Sequence, residues 1–312
     1  MTALKRTALR VVILLGLLAP WPEASRAQVP GNPRLDQEIS KQESIYHGKG
    51  DQRDEGYVID RSLLSYTFIL PPEFDGALAN LGPKDRWLDI GAGQGRAILD
   101  YHSERYDSMH AEGRERRGSK ARTVAISIED RRTPVWHQAA ASLGANKIQY
   151  LFGRRLREYS LEELGQFQVI TDVIGGFSYA VELSVFMEKV LGFLELNGSF
   201  FSILQDVHSE EGSNVPYYAG SPYLTEIVNA DGSARKVCSW LKSIACVEVT
   251  CELRPRYTPP VEVYRVRKVC DAVKVPALSP VHYEAGTPPE RRYQVKTPAA
   301  ASPGQAGAAA AR

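Results

Sequence analysis

The segment Trp87-Leu-Asp-Ile-Gly-Ala-Gly-Gln-Gly-Arg96 constrains the fold of this chain more than any other. An apolar run ends in Asp89 and Ile90, glycines alternate at positions 91, 93 and 95, and a helical pattern begins at once. Glycine tolerates dihedrals closed to other residues and lets main chain approach a ligand closely. A strand, glycine turn and helix in succession put that approach at the carboxyl edge of a sheet, where open α/β proteins bind their ligands. A dinucleotide site spaces its glycines G-x-G-x-x-G so that a pyrophosphate rests on the helix start. The spacing here is D-x-G-x-G-x-G, which disfavours a nicotinamide oxidoreductase.

From residue 83 to 269, short apolar runs alternate with helical patterns, as parallel strands joined by helical crossovers do. The predicted strands are 86–90, 123–128, 147–152, 167–173 and 199–204, and the predicted helices 94–106, 134–143 and 180–194. Two β-rich runs, 245–253 and 261–269, flank Arg254-Pro-Arg-Tyr-Thr-Pro-Pro260 and read as an antiparallel hairpin. The expected fold is a Rossmann-like α/β domain. Five parallel crossover strands and a C-terminal antiparallel hairpin make its seven-stranded sheet, within a three-layer α/β/α sandwich. A length of 312 residues allows one large domain or two small ones. The strand order favours one, at 83–275, with 206–241 as a cap insertion carrying Tyr217, Tyr218, Tyr223 and Trp240. Residues 28–82 read as an N-terminal arm with a helix at 37–46. Its stretch 56–66 either lies across the ligand edge or simply packs, and packing is the favoured reading. Residues 276–312 read as an extended, largely disordered tail, because the Ala, Pro, Gly and Ser of 297–312 offer too little apolar surface to order.

On these strands the glycine loop resembles that of the class I S-adenosylmethionine-dependent methyltransferases, a likeness covering residues 82–269. The resemblance implies S-adenosylmethionine as cofactor, with Asp89, Gly91, Ala92, Gly93 and Gly95 lining its methionine part and Asp89 meeting the ammonium group. It also implies an acidic residue after the second strand that accepts the ribose hydroxyls. Glu129 is the best match, with Asp130 as its rival, 38 residues after Gly91 because the charged loop 108–122 intervenes. The third strand departs from the pattern: many members end it with Gly-Asp facing the adenine, whereas Gly153 is followed by Arg154 and Arg155. Segment 170–179 resembles the one beside the transferred methyl group. On that likeness Asp172, Gly175, Ser178 and Tyr179 face the site; otherwise Gly175-Gly176 is a turn.

Methyl transfer is an in-line displacement that needs alignment of donor and acceptor more than it needs a metal, and no metal-ligand set is predicted. An acceptor that must lose a proton wants a base. Asp206 and His208 follow the fifth strand two positions apart, on one side of an extended chain, and are the first candidates; Tyr179 and Glu182 come next. The methyl acceptor is unidentified. With 38 Lys and Arg against 37 Asp and Glu, the net charge of +1 argues against nucleic acid.

The ends of the chain point outside the cytoplasm. Lys5, Arg6 and Arg10 precede an apolar run at 11–19, and Ser25-Arg26-Ala27 follows, the pattern of a secretory signal cleaved after residue 27. That run is shorter than the ~20 residues that span a bilayer, so no stable membrane span is expected after cleavage; an uncleaved N-terminal anchor is the alternative. Cys238, Cys246, Cys251 and Cys270 contain no C-x-x-C pair, and in an exported chain they read as two disulfides. A turn near Tyr257 or Thr258 places Cys246 opposite Cys270 and leaves Cys238 for Cys251, one of three pairings. Periplasmic or secreted location conflicts with a cytoplasmic cofactor. The alternative function is therefore an exported, non-catalytic binding or scaffold protein that retains the methyltransferase fold.

Overall fold

The computed structural model describes residues 32–47, 60–103, 120–205, 212, 224–254, 261–286 and 288–296. In chain order the arm contributes α1 (Pro33–His47), α2 (Leu63–Ile69) and α3 (Glu73–Ala79). Then come β1 (Arg86–Ile90), α4 (Arg96–His102), β2 (Arg122–Ile126), α5 (Pro134–Leu143), β3 (Ile148–Leu151), a 3-10 turn (Leu156–Glu158) and α6 (Leu161–Leu164). β4 (Phe167–Asp172), α7 (Gly176–Tyr179), α8 (Leu183–Phe193) and β5 (Leu194–Gln205) complete the crossover region. β6 (Thr225–Val228), β7 (Ala234–Arg235), α9 (Val237–Lys242), β8 (Val247–Arg254), β9 (Val261–Lys268), β10 (Leu278–Glu284) and β11 (Glu290–Val295) follow.

Seven strands form one sheet in the order β3-β2-β1-β4-β5-β9-β8. β3, β2, β1, β4 and β5 run parallel, β9 is antiparallel to β5, and β8 is antiparallel to β9. This is the expected Rossmann-like sheet. The central strands are nearly continuous apolar runs because helices cover both faces. Leu88, Ile90, Val124, Ile126 and Phe200 pack on one face with α8 and α9, and Trp87, Ala125, Val169 and Phe201 on the other with α2 to α5. Local chemistry sets the helix ends. The Thr133 side chain accepts from the Trp136 N–H at the start of α5, where Pro134 needs no donor, and Ser62 caps α2 in the same way.

The arm is built into the fold. Arg254, at the end of β8, donates to the carbonyls of Phe68 and Ile69 (2.7 Å each) and Leu70 (3.2 Å), the unpaired acceptors at the end of α2. α1 caps the turn after β10, with Glu38 and Gln42 accepting from the N–H groups of Ala285 and Gly286. Both cysteine pairs form as expected, Cys238–Cys251 and Cys246–Cys270, with Cα–Cα distances of 6.1 and 5.0 Å. Among the described residues no helix is long and apolar enough to cross a membrane. The segment read as a signal lies outside the described residues, as does 297–312.

Two expectations require correction. The predicted tail from 276 contains β10 and β11, and most of the supposed cap from 224 onward is β6, β7 and α9. β6, β7, β10 and β11 form a second sheet in the order β10-β11-β6-β7. Its inner face carries Thr225, Ile227, Tyr283, Arg291 and Tyr293 and packs on α7. Arg291, 1% exposed, donates to the carbonyls of Phe177 (3.1 Å) and Ala180 (2.9 Å) and to the Thr225 hydroxyl. Tyr293 donates to the Ala180 carbonyl at 2.7 Å, and Tyr283 to that of Tyr179 at 3.2 Å. A buried arginine replaces the apolar residue a strand pattern leads one to expect, so β11 reads as polar tail. The helix predicted at 180–194 is observed as α8, which starts only at Leu183, because Ala180 closes the preceding short α7 in an extended conformation at ψ 128°.

Candidate functional site

The strand order changes direction at β1, which has β2 on one side and β4 on the other. At such a switch point the loops after adjacent strands part and form a crevice. The loop after β1 carries Gly91, Gly93 and Gly95, with φ of 71°, 56° and 74°, a region that costs an L side chain about 1–2 kcal/mol. Space adds a second demand. A Cβ on Gly91 would come within 2.6 Å of the Gly175 Cα on the loop after β4, and one on Gly95 would overlap the Trp136 ring. The Gly93 carbonyl accepts from the Tyr150 hydroxyl, and the N–H groups of Gly91 and Ala92 share the Ile126 carbonyl at 2.9 and 3.1 Å. The loop is therefore held from β2, β3 and α5, and at Gly91 it meets the main chain of Gly175 on the β4 loop.

Asp89 is fully buried below this loop. It accepts from the Tyr66 hydroxyl at 3.1 Å and the Thr171 hydroxyl at 2.7 Å, and burial pushes its carboxyl up to about 7 against those bonds. Its oxygens are engaged by α2 and β4. The carboxylate at the loop itself belongs to Asp60 in the arm, beside the backbone of Gln94 and Arg96; burial raises its pKa, opposed first by the Arg96 charge. Its Oδ1 is buried with no hydrogen-bond partner. Asp60 lies in the stretch read as packing, so its place over the glycine loop went unread. Its only signal was an acid two residues ahead of the Ser62 helix cap.

At the end of β4, Asp172 is also fully buried and accepts from the N–H groups of Gly175 (2.8 Å) and Phe177 (2.9 Å). Burial pushes its carboxyl up to about 7, with those bonds and the Arg291 charge pulling it down. It shapes the loop that carries Ile174 at φ 56°, an outlier for a β-branched residue and of a kind that concentrates at functional sites. Gly175 is both a turn and a point of contact with Gly91. Ser178 is buried, its hydroxyl 3.4 Å from the Ile203 carbonyl, and Tyr179 is half-buried at the end of α7.

After β2 the two acidic candidates are each paired with the arginine two positions on, Glu129 with Arg131 at 2.6 Å and Asp130 with Arg132 at 2.7 Å. The hydrogen bonds from Arg132 hold the Asp130 carboxyl down at about 2. After β3 a cavity of about 210 Å³ is lined by Ile128, Gly153, Arg154, Arg155, Arg157 and Glu158. Its arginines are tied to neighbouring acids, Arg154 to Glu163 at 2.9 Å and Arg157 to Glu182 at 2.7 Å. The structure thus brings the glycine loop, Asp60, Glu129, Asp130 and Asp172 to one edge of the sheet. Asp206 and His208 lie outside the described residues, as do Tyr217, Tyr218 and Tyr223. Trp240 is fully buried and donates to the Pro276 carbonyl at 3.0 Å, which makes it a packing residue.

No family model matches this chain, and no curated protein matches it. Among solved structures it is similar to an rRNA methylase from Streptococcus thermophilus, at 12% identity over 64% of this chain and 95% of that one, with a TM-score of 0.38. It is also similar to a Listeria monocytogenes protein assigned to the class I S-adenosylmethionine-dependent methyltransferases (11%, 77% and 69%, 0.42). An N-methyltransferase from Bradyrhizobium japonicum is a third (11%, 63% and 93%, 0.37). The fold rests on the strand order itself.

Proposed function

We propose that the chain binds S-adenosylmethionine at this edge and transfers its methyl group to an acceptor. The observation that carries the reading is the Asp60 Oδ1, a buried carboxylate oxygen without a hydrogen-bond partner beside a glycine loop open to close main-chain approach. A cationic ammonium group is the complement of such an atom. The sulfonium, when bound, supplies an activated methyl group. The chain's own residues supply position: Gly91, Ala92, Gly93 and Gly95 give room to the methionine part, Asp60 receives its ammonium, and Asp89 braces β1 from behind. Glu129 or Asp130 receives the ribose hydroxyls, and Asp172 holds the β4 loop in shape. Tyr179, Asp206 and His208 are the proposed bases, for an acceptor whose identity is open. We further propose that the protein is exported, supported by two disulfides.

Calorimetry of the purified protein with S-adenosylmethionine and S-adenosylhomocysteine tests the reading. Binding is expected, to be abolished by Gly93→Arg and weakened about tenfold or more by Asp60→Asn, the worth of a hydrogen bond to a charged group. No heat at millimolar ligand would sink the proposal.

A second reading, an exported protein that keeps the fold without turnover, is favoured by the arginines at the β3 end and by the pairing of Glu129 and Asp130 with Arg131 and Arg132. Binding without accumulation of S-adenosylhomocysteine in the presence of periplasmic extract would select it.

A further inference from the structure

The outer face of the second sheet collects acids. The register places His282 opposite Arg292, Glu284 opposite Glu290, and Arg292 opposite Glu226; residues directly opposed share a face. A ligand atom from each of His282, Glu284 and Glu290 lies within 4.8 Å of the others. One strand further, Glu226 is 1% exposed and neither carboxylate oxygen has a hydrogen-bond partner. It lies diagonal to Glu290 and close enough for their like charges to interact.

Like charges set directly across an antiparallel pair are destabilising, and a buried carboxylate without a partner is costly. Among the described residues of this face, three carboxyl groups accompany one guanidinium, and burial pushes that of Glu226 up to about 8, with Arg292 pulling it down and Glu290 adding to the rise. A divalent cation supplies the positive charge that such a set of acids calls for. Carboxylates alone suit Mg²⁺ and Ca²⁺, whereas an added imidazole shifts the preference towards transition ions.

We propose that His282, Glu284 and Glu290 bind a divalent transition-metal ion, with Glu226 closing the site from β6. The spacing H-x-E-x5-E is not a recognisable ligand motif; the hairpin turn brings the third residue beside the first two. The ion joins β10 to β11 and lies on the opposite side of the second sheet from α7, so the proposal is independent of methyl transfer.

The test uses the full chain, stripped with a chelator and dialysed against Zn²⁺ or Mn²⁺, with bound metal counted and melting followed. One equivalent of one of these ions and a raised melting temperature are expected. His282→Ala and Glu290→Gln should weaken binding by about 100-fold, and Glu226→Gln by about tenfold. Glu226→Gln should leave the metal-free melting temperature unchanged or raised, where a purely structural glutamate would lower it. Should His282→Ala fail to fold, the Co²⁺-loaded wild-type protein carries the test through a paramagnetically shifted imidazole N–H resonance. Absence of stoichiometric metal at millimolar Zn²⁺ and Mn²⁺, affinity unchanged in the folded variants, absence of the shifted resonance, or binding confined to Mg²⁺ or Ca²⁺ would each overturn the proposal.

Discussion

Asp89 and Asp172 stand at the ends of neighbouring strands, and burial pushes each carboxyl up to about 7 from an ordinary 3.8. Between those values the folded chain keeps protons that the unfolded chain has lost. Their contribution to stability is therefore full below pH 3.8 and is lost as the pH rises towards 7. His102 acts in the other direction. Burial, helped by Lys120 and Lys147, lowers it from 6.5 to about 4, so its contribution is complete above pH 6.5 and is lost as the pH falls through that window. Urea unfolding of Asp89→Asn across pH 4 to 7 should lose up to about 1.4 kcal/mol per pH unit of the downward slope seen in the parent; an unchanged slope would remove the buried carboxylate from the account. His102→Gln should remove the decline on the acid side. At the glycine loop, Gly91→Ala meets both a positive φ and a Gly175 Cα at 2.6 Å. It should cost about 3 kcal/mol in the same assay.

Elements differ in how they are held, and this decides what breaks them. Cys238–Cys251 and Cys246–Cys270 close short loops, of sequence separation 13 and 24. Removing either by Cys→Ala pairs should cost about 3 kcal/mol on the chain-entropy account, read as a shift in urea midpoint that a reductant reproduces in the parent protein. The same elements show what a sequence discloses. The parallel strands were legible because strands covered on both faces must be apolar throughout, as Leu88-Asp-Ile90 and Val124-Ala-Ile126 nearly are. The glycine loop was legible because its dihedrals admit little else. β10 and β11 were not, because their inward side chains are Tyr283, Arg291 and Tyr293, whose polar ends find carbonyls that only the folded α7 presents. Asp60 was illegible for a related reason: its partners, Gln94 and Arg96, come from a distant part of the chain.

Across the whole molecule, side chains of the second sheet bond the carbonyls at the end of α7, Arg291 making two of those bonds and Tyr283 and Tyr293 one each. The Arg291 charge also lies near Asp172, so one side chain connects the second sheet to the loop after β4. Arg291→Leu strands the Phe177 carbonyl and removes one of the two donors to that of Ala180, and should cost about 3 kcal/mol. Limited proteolysis should then cut between β9 and β10, where the parent protein resists. The order β10-β11-β6-β7 has one further consequence, for synthesis. β6 pairs in parallel with β11, whose residues 291–294 come more than sixty positions later. Until those residues emerge, β6 has β7 on one side and an open edge on the other, the kind of edge that invites pairing with another chain. A released chain ending near residue 285 would hold all seven strands of the first sheet and still present that edge, so the last strand acts as a closing latch against aggregation.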